Sequence, residues 1–211
     1  WAYSGGDLAD DGVHQLDIAR MLIGDKPYPK AVNASGGNLA FQDDREVPDT
    51  QVVAYEYDHC VMTFELTQFA PYMKKVPGNV RDSDLFPVWP ETGSRIELYG
   101  TKEIMYLGRH GGGWQAMTTG LKVVAESYGR ETSNLHRENF IQCIRSRALP
   151  NADIEIGHQS AVLVHLGNLG VRLGGRRLVY DGPNETVLND PEALPLLTSE
   201  YRKPYVVPEE V

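Results

Sequence analysis

Within DDGVHQLD, Asp10, His14 and Asp17 stand four and three residues apart. On a helix, positions i, i+3 and i+4 share a face, so the three can form one row. A carboxylate beside an imidazole holds one tautomer and raises the ring's proton affinity. That suits a general acid/base or a donor to a substrate hydroxyl. The same spacing fits a helix-surface acid–imidazole pair with a capping acid. It also supplies two metal ligands, but no convincing third is found and no metal site is expected.

Other residues that could do chemistry are less well placed. His158 and His165 lie seven apart on one predicted helix, with Asn168 three residues further on. His158 reads as satisfied by backbone or water, and His165 as a residue near the pocket. Gly108, Gly111, Gly112 and Gly113 fit neither the dinucleotide fingerprint nor a P-loop and read as a hairpin turn. Ser133 and Ser160 lack the setting of a nucleophilic serine. In the Pro-, Gly- and Asp-rich stretch 70–93, Tyr72, Lys74, Arg81 and Trp89 are candidates for substrate contact, as are Trp1 and Tyr3. Packing of that stretch on a neighbouring subunit is an equal alternative.

These residues need a frame. Residues 6–23 read as a helix, with Leu8, Val13, Leu16, Ala19, Met21, Leu22 and Ile23 on a broad apolar side and Gly5-Gly6 as a tight lead-in. Strands are expected at 30–41 with a bulge or bend at Gly36-Gly37, then at 50–57 and 60–69 around a two-residue Asp58-His59 turn. Three more follow at 94–100, 103–109 and 113–118. Helices are expected at 134–147, capped by Ser133 or Asn134, and at 154–173, with a last strand at 176–181. Alternation in Val53, Tyr55, Tyr57 and in Met62, Phe64, Leu66 suggests that both sheet faces are fairly apolar. That favours a homodimer or homotetramer built through the open face.

This order is α+β: a largely antiparallel open β-sheet with helices packed on one face. Residues 1–211 read as one substrate-binding and oligomerisation domain with an extended tail from about 189. Apolar residues make up 41% of the 211, enough for a real core. A net charge of −9 gives no electrostatic footprint for nucleic acid or an anionic membrane. Cys60 and Cys143 lack metal-ligand spacing and read as reduced and buried. The chain begins at Trp1 in what looks like a loop, which suggests an excerpt or a processed chain. The compartment, cytoplasmic or periplasmic, is therefore left open.

The stretch GGDLADDGVHQLDIARMLIG resembles the start of the C-terminal domain in the Gfo/Idh/MocA oxidoreductases, the glucose–fructose oxidoreductase and inositol dehydrogenase family. Gly5-Gly6, Leu8, Asp10, Gly12, His14, Asp17, Ala19, Leu22 and Gly24 carry the pattern. The likeness continues through PDTQVVAYEY, IELYGTKEIM and HRENFIQCIRSRALPNADIEIGHQSAVLVHLGNLGVRLGGR to the bacterial-type ending LLTSEYRKPYVVPEEV.

The resemblance implies a dihydrodipicolinate reductase/glyceraldehyde-3-phosphate dehydrogenase-like C-terminal fold. It also implies an N-terminal Rossmann domain outside this chain, which would hold most of an NAD or NADP cofactor and supply a catalytic lysine. By motif, His14 matches the catalytic histidine, Asp10 the carboxylate before it, and Asp17 an orienting acid. The implied activity is NAD(P)-dependent oxidation of a sugar, polyol or glycoside hydroxyl, with this chain alone inactive without its Rossmann domain. Alternatives are an NAD-dependent glycosidase of related fold and a non-catalytic carbohydrate-binding or assembly module.

Overall fold

The two best-alternating stretches become an edge strand and its neighbour in a five-stranded antiparallel sheet. The computed structural model of the chain describes residues 1–24, 28–81, 83–129, 133–199 and 201–206. β1 (Ala31–Gly37), β2 (Thr50–Glu56), β3 (Val61–Thr67), β8 (Leu178–Asp181) and β9 (Thr186–Val187) lie in the order β3-β2-β1-β8-β9. Tyr57 N donates to Cys60 O at 2.9 Å, which closes the expected two-residue hairpin.

Register decides which side chains share a face. Val32, Tyr55 and Met62 are neighbours across three strands, as are Ala34, Val53 and Phe64. All six therefore lie on one side, and all but Phe64 are buried. The other side carries Asn33, Ala54 and Thr63 in one row and Ser35, Val52 and Glu65 in the next. The expectation of two apolar faces is thus corrected. Residues two apart in a strand stay on one side, and the antiparallel register stacks both apolar sets there.

The apolar side is covered by α4 (Ile154–Arg172) and by the helix near the N-terminus. Asp153 caps α4, its carboxylate accepting from Glu155 N at 3.0 Å. Leu163, Leu166 and Leu169 of α4 meet Val32, Ala34, Val53 and Tyr55 in the core. Each fully buried leucine contributes about 1.5–3 kcal/mol. Two polar groups tie the layers: Tyr55 Oη donates to Leu163 O at 2.8 Å, and Gln51 Nε2 to Gly167 O at 3.1 Å.

β1 continues through Gly36-Gly37 without the expected bulge, since its pairing with β2 is unbroken. A side chain at Gly36 would place its Cβ 2.4 Å from Thr50 O, so the residue serves close strand approach. Beyond β1 the chain turns back over 38–49 around a fully enclosed Asp49. Its carboxylate accepts from the amides of Leu39, Ala40 and Phe41 at 3.1, 2.9 and 2.9 Å, and from the Thr50 hydroxyl at 2.8 Å.

The later strands form a second antiparallel sheet. β4 (Arg95–Tyr99), β5 (Glu103–Gly108), β6 (Trp114–Thr118) and β7 (Val123–Ser127) lie in sequence order. β7 is exposed throughout, so no burial alternation announced it in the sequence. The stretch 70–93 joins the sheets and holds a single turn, α2 (Gly78–Arg81), and a 3-10 turn at Trp89–Glu91. α3 (Asn134–Ser146) follows β7 with none of its residues buried and no cap from the Ser133 side chain. Cys60 is exposed and Cys143 half-exposed, both free, which corrects the expectation of burial. The predicted tail folds partway, with a 3-10 turn at Leu194–Leu196. Its last five residues lie outside the described ones. Among the described residues no helix is long and apolar enough to cross a membrane.

Candidate functional site

The chain enters its first helix at Gly6 with φ of +69°, a conformation that only glycine adopts cheaply. Asn168 Nδ2 of α4 donates to Gly5 O at 2.7 Å and fixes that turn to the core. The helix then runs as a π-turn over Leu8–Gly12 and continues as α1 (Val13–Leu22).

The π-turn follows from burial. Leu8 and Leu16 are each 1% exposed and share one core. At about 100° per residue, a plain α-helix sets positions eight apart roughly 80° from each other; one residue absorbed by a π-turn cuts this to roughly 20°.

The π-turn changes the expected row. Asp10 and His14 are both exposed, and no hydrogen bond or ion pair joins them. Asp17 turns the other way, towards α4, where it accepts from Ser160 Oγ at 2.6 Å. Beside it the enclosed Arg20 donates to Gln159 Oε1 at 2.8 Å. Asp17 therefore belongs to the seam between α1 and α4, and Asp10 and His14 to the solvent side.

Asp10 borders an open surface depression of about 490 Å³ whose wall also includes Ser4, Asp7, Val47 and Gln68. Burial, then the nearby Asp11 and Asp10, push the Asp7 carboxyl up. Val47 comes from the turn organised by Asp49, so that buried carboxylate helps place the wall of the depression.

No local pattern in the chain signals a second group around Asp11. Lys75 Nζ lies 3.1 Å from Asp11 Oδ2, and Arg109 Nη1 pairs with Asp11 Oδ1. Burial pushes the Asp11 carboxyl up, but hydrogen bonds from Arg109 and Lys75 overcome this and hold it below its ordinary value. The neighbouring His110 is pushed down by burial and then by Arg109, Arg81 and Lys75. Lys75 and Arg109 stand 64 and 98 residues from Asp11, counting directly along the chain, so only the topology reveals the cluster.

The predicted substrate-contact residues are dispersed. Tyr72 and Lys74 are exposed on the joining stretch, and Tyr3 is fully exposed. Arg81 is half-buried and donates from Nε to Val76 O at 2.7 Å. Trp89 is buried, stacks on Tyr106 at 5.8 Å and donates to Gln115 Oε1 at 2.7 Å, which anchors the stretch on the second sheet. His165 is exposed on α4 and makes no hydrogen bond to Asp10 or His14, while His158 meets Glu185 Oε1 at 2.5 Å. The Trp1 ring lies under Arg172.

Among the described residues no group of three His, Cys, Asp or Glu is placed to hold a metal ion. Gly111 to Gly113 form the β5–β6 turn, not a strand-to-helix loop, so they cannot cradle a pyrophosphate.

Residues 1–106 match the family model described as the GFO/IDH/MocA C-terminal domain. Residues 113–207 match one described as an oxidoreductase family C-terminal alpha/beta domain. Among solved structures, a Klebsiella pneumoniae protein provisionally described as an oxidoreductase aligns at TM-score 0.57 and 14% identity, over 89% of this chain and 52% of that one. A Desulfitobacterium hafniense protein provisionally described as an NADPH-dependent oxidoreductase aligns at 0.59 and 16%, over 82% and 48%. The UDP-N-acetylglucosamine 3-dehydrogenase GnnA of Acidithiobacillus ferrooxidans aligns at 0.54 and 14%, over 76% and 46%. These likenesses establish the fold, and the chain spans about half the length of the structures it matches. Among curated proteins none matches the chain.

Proposed function

Because this chain belongs to the Gfo/Idh/MocA family through its C-terminal domain, we propose that it is the substrate-side half of an NAD(P)-dependent oxidoreductase acting on a sugar or polyol hydroxyl. The observation that carries this reading is the placement of Asp10 and His14. Both are solvent-facing, on a helix fixed to the core, and Asp10 lines an open surface depression of about 490 Å³. GnnA, a fold neighbour, supports a carbohydrate hydroxyl as the substrate class.

In this reading His14 accepts the hydroxyl proton as the alcohol becomes a carbonyl, and Asp10 orients the substrate hydroxyl at the rim of the depression. Asp17 acts indirectly: held by Ser160, it fixes the rotation of α1 against α4. Tyr3, Tyr72 and Lys74 are among the substrate-contact candidates still open to solvent. When bound, the nicotinamide supplies the hydride acceptor. Because the chain matches a C-terminal domain model and spans about half the length of its fold neighbours, we infer a nucleotide-binding half elsewhere in the full-length protein.

The test is a panel of sugars, polyols and glycosides with NAD and NADP, using the full-length protein and its His14→Ala variant. Reduction of cofactor by wild type, lost by about 10²–10⁴-fold in the variant, is the expected result. Equal rates in both would overturn the role of His14. Release of an aglycone without net cofactor reduction would replace the reading with a glycosidase.

A further inference from the structure

Asp11 is the point where three distant segments meet. Its two carboxylate oxygens are taken by different cations, Oδ2 by Lys75 and Oδ1 by Arg109. Both cations sit on backbone that is itself held. Lys74, next to Lys75, pairs with the 3-10 turn: its amide donates to Glu91 O at 3.1 Å, and Gly93 N donates to its carbonyl at 2.7 Å. Arg109 N donates to Ser94 O at 3.3 Å, and its side chain is only 10% exposed. The Arg109 contact is therefore unlike a loose surface pair between two mobile side chains, while Lys75, its side chain 55% exposed, adds a weaker, solvent-facing contact.

The segment it grips is the π-turn itself. A π-turn is rare because it gives up the regular i to i+4 bonding, and it persists where surrounding contacts over-determine it. Leu8 and Leu16 supply the apolar reason for it from the core side. Relaxing it to plain α-helix would turn the residues before it by about 100° relative to His14. Asp10, inside the turn, would shift by part of that rotation.

Resting on the functional reading above, we propose that Asp11, Lys75 and Arg109 are positioning residues. They lock the π-turn and so set where Asp10 stands relative to His14. None of the three lines the depression that Asp10 borders. The second sheet and the joining stretch thereby help to place the acid and the imidazole through Arg109 and Lys75.

The test compares full-length wild type with Asp11→Asn, Arg109→Met and the double variant, by hydrogen exchange and by steady-state kinetics. Amides of residues 8–14 should exchange about tenfold or more faster in each variant, with α4 unchanged. The turnover number should fall about tenfold to hundredfold with KM within about twofold of wild type, and the double variant should be no worse than the poorer single one. Unchanged exchange in the π-turn overturns the proposal. So does faster exchange with an unaltered turnover number per folded molecule, or a loss confined to melting temperature. If wild type turns over no sugar or polyol, the oxidoreductase reading falls. The exchange comparison then still decides whether the ion pairs hold the turn.

Discussion

Asp49 shows how one side chain can shape a site it never touches. Burial pushes its carboxyl up, but the amide of Phe41, the Thr50 hydroxyl and the amides of Leu39 and Ala40 carry it down from an ordinary 3.8 to about 2. A depressed folded-state value gives stability that is fully present above the unfolded value and disappears as pH falls through the folded one. The expected window is therefore between about pH 4 and pH 2. Acid unfolding of wild type and Asp49→Asn, followed by circular dichroism, should show the variant less stable at neutral pH. The gap should close as acid protonates the wild-type carboxyl; a gap independent of pH would show that charge is irrelevant there. Asp17 makes a related point: its spacing suggested a place in the acid–imidazole row, yet its partner proved to be Ser160, 143 residues away.

At the scale of elements, α4 governs the site more than its own residues suggest. It anchors the glycine turn through Asn168, holds Asp17 through Ser160, and lies close on β2 at Gly167. A Cβ at Gly167 would stand 2.9 Å from both Leu8 Cδ2 and Tyr55 Oη, and 3.1 Å from Val53 Cγ2. Gly167→Ala should push α4 off the sheet and destabilise the protein by about 1–3 kcal/mol, measured by urea unfolding. Because Leu8 belongs to the π-turn, that variant should also lower activity more than its stability loss accounts for. A neutral effect would mean that the helix shifts freely. The first helix itself was legible from its apolar periodicity, but its π-turn was not. The widened turn depends on Leu8 and Leu16 sharing one core.

For the whole molecule, the outer face of the five-stranded sheet is the surface proposed to carry assembly. It is less apolar than the alternation suggested, with Val52 and Val61 exposed among Asn33, Ser35, Thr63 and Glu65. The full-length protein should run as a dimer or tetramer in light scattering, and Val52→Glu, at the centre of that face, should shift it to monomer. An unaltered mass would move the interface elsewhere. The sequence by itself determined the family, the α+β class, most strands and helices, and the exposed Asp10 and His14 as residues worth testing. Periodicity and motif spacing are local properties that survive without knowledge of the fold. Tertiary structure alone decided the division into two sheets, the single apolar face, the assignment of Asp17 to a helix seam, and the grip of Lys75 and Arg109 on Asp11. Each of these depends on register or on contacts between segments tens of residues apart, and no local pattern encodes which distant charge will meet a given carboxylate.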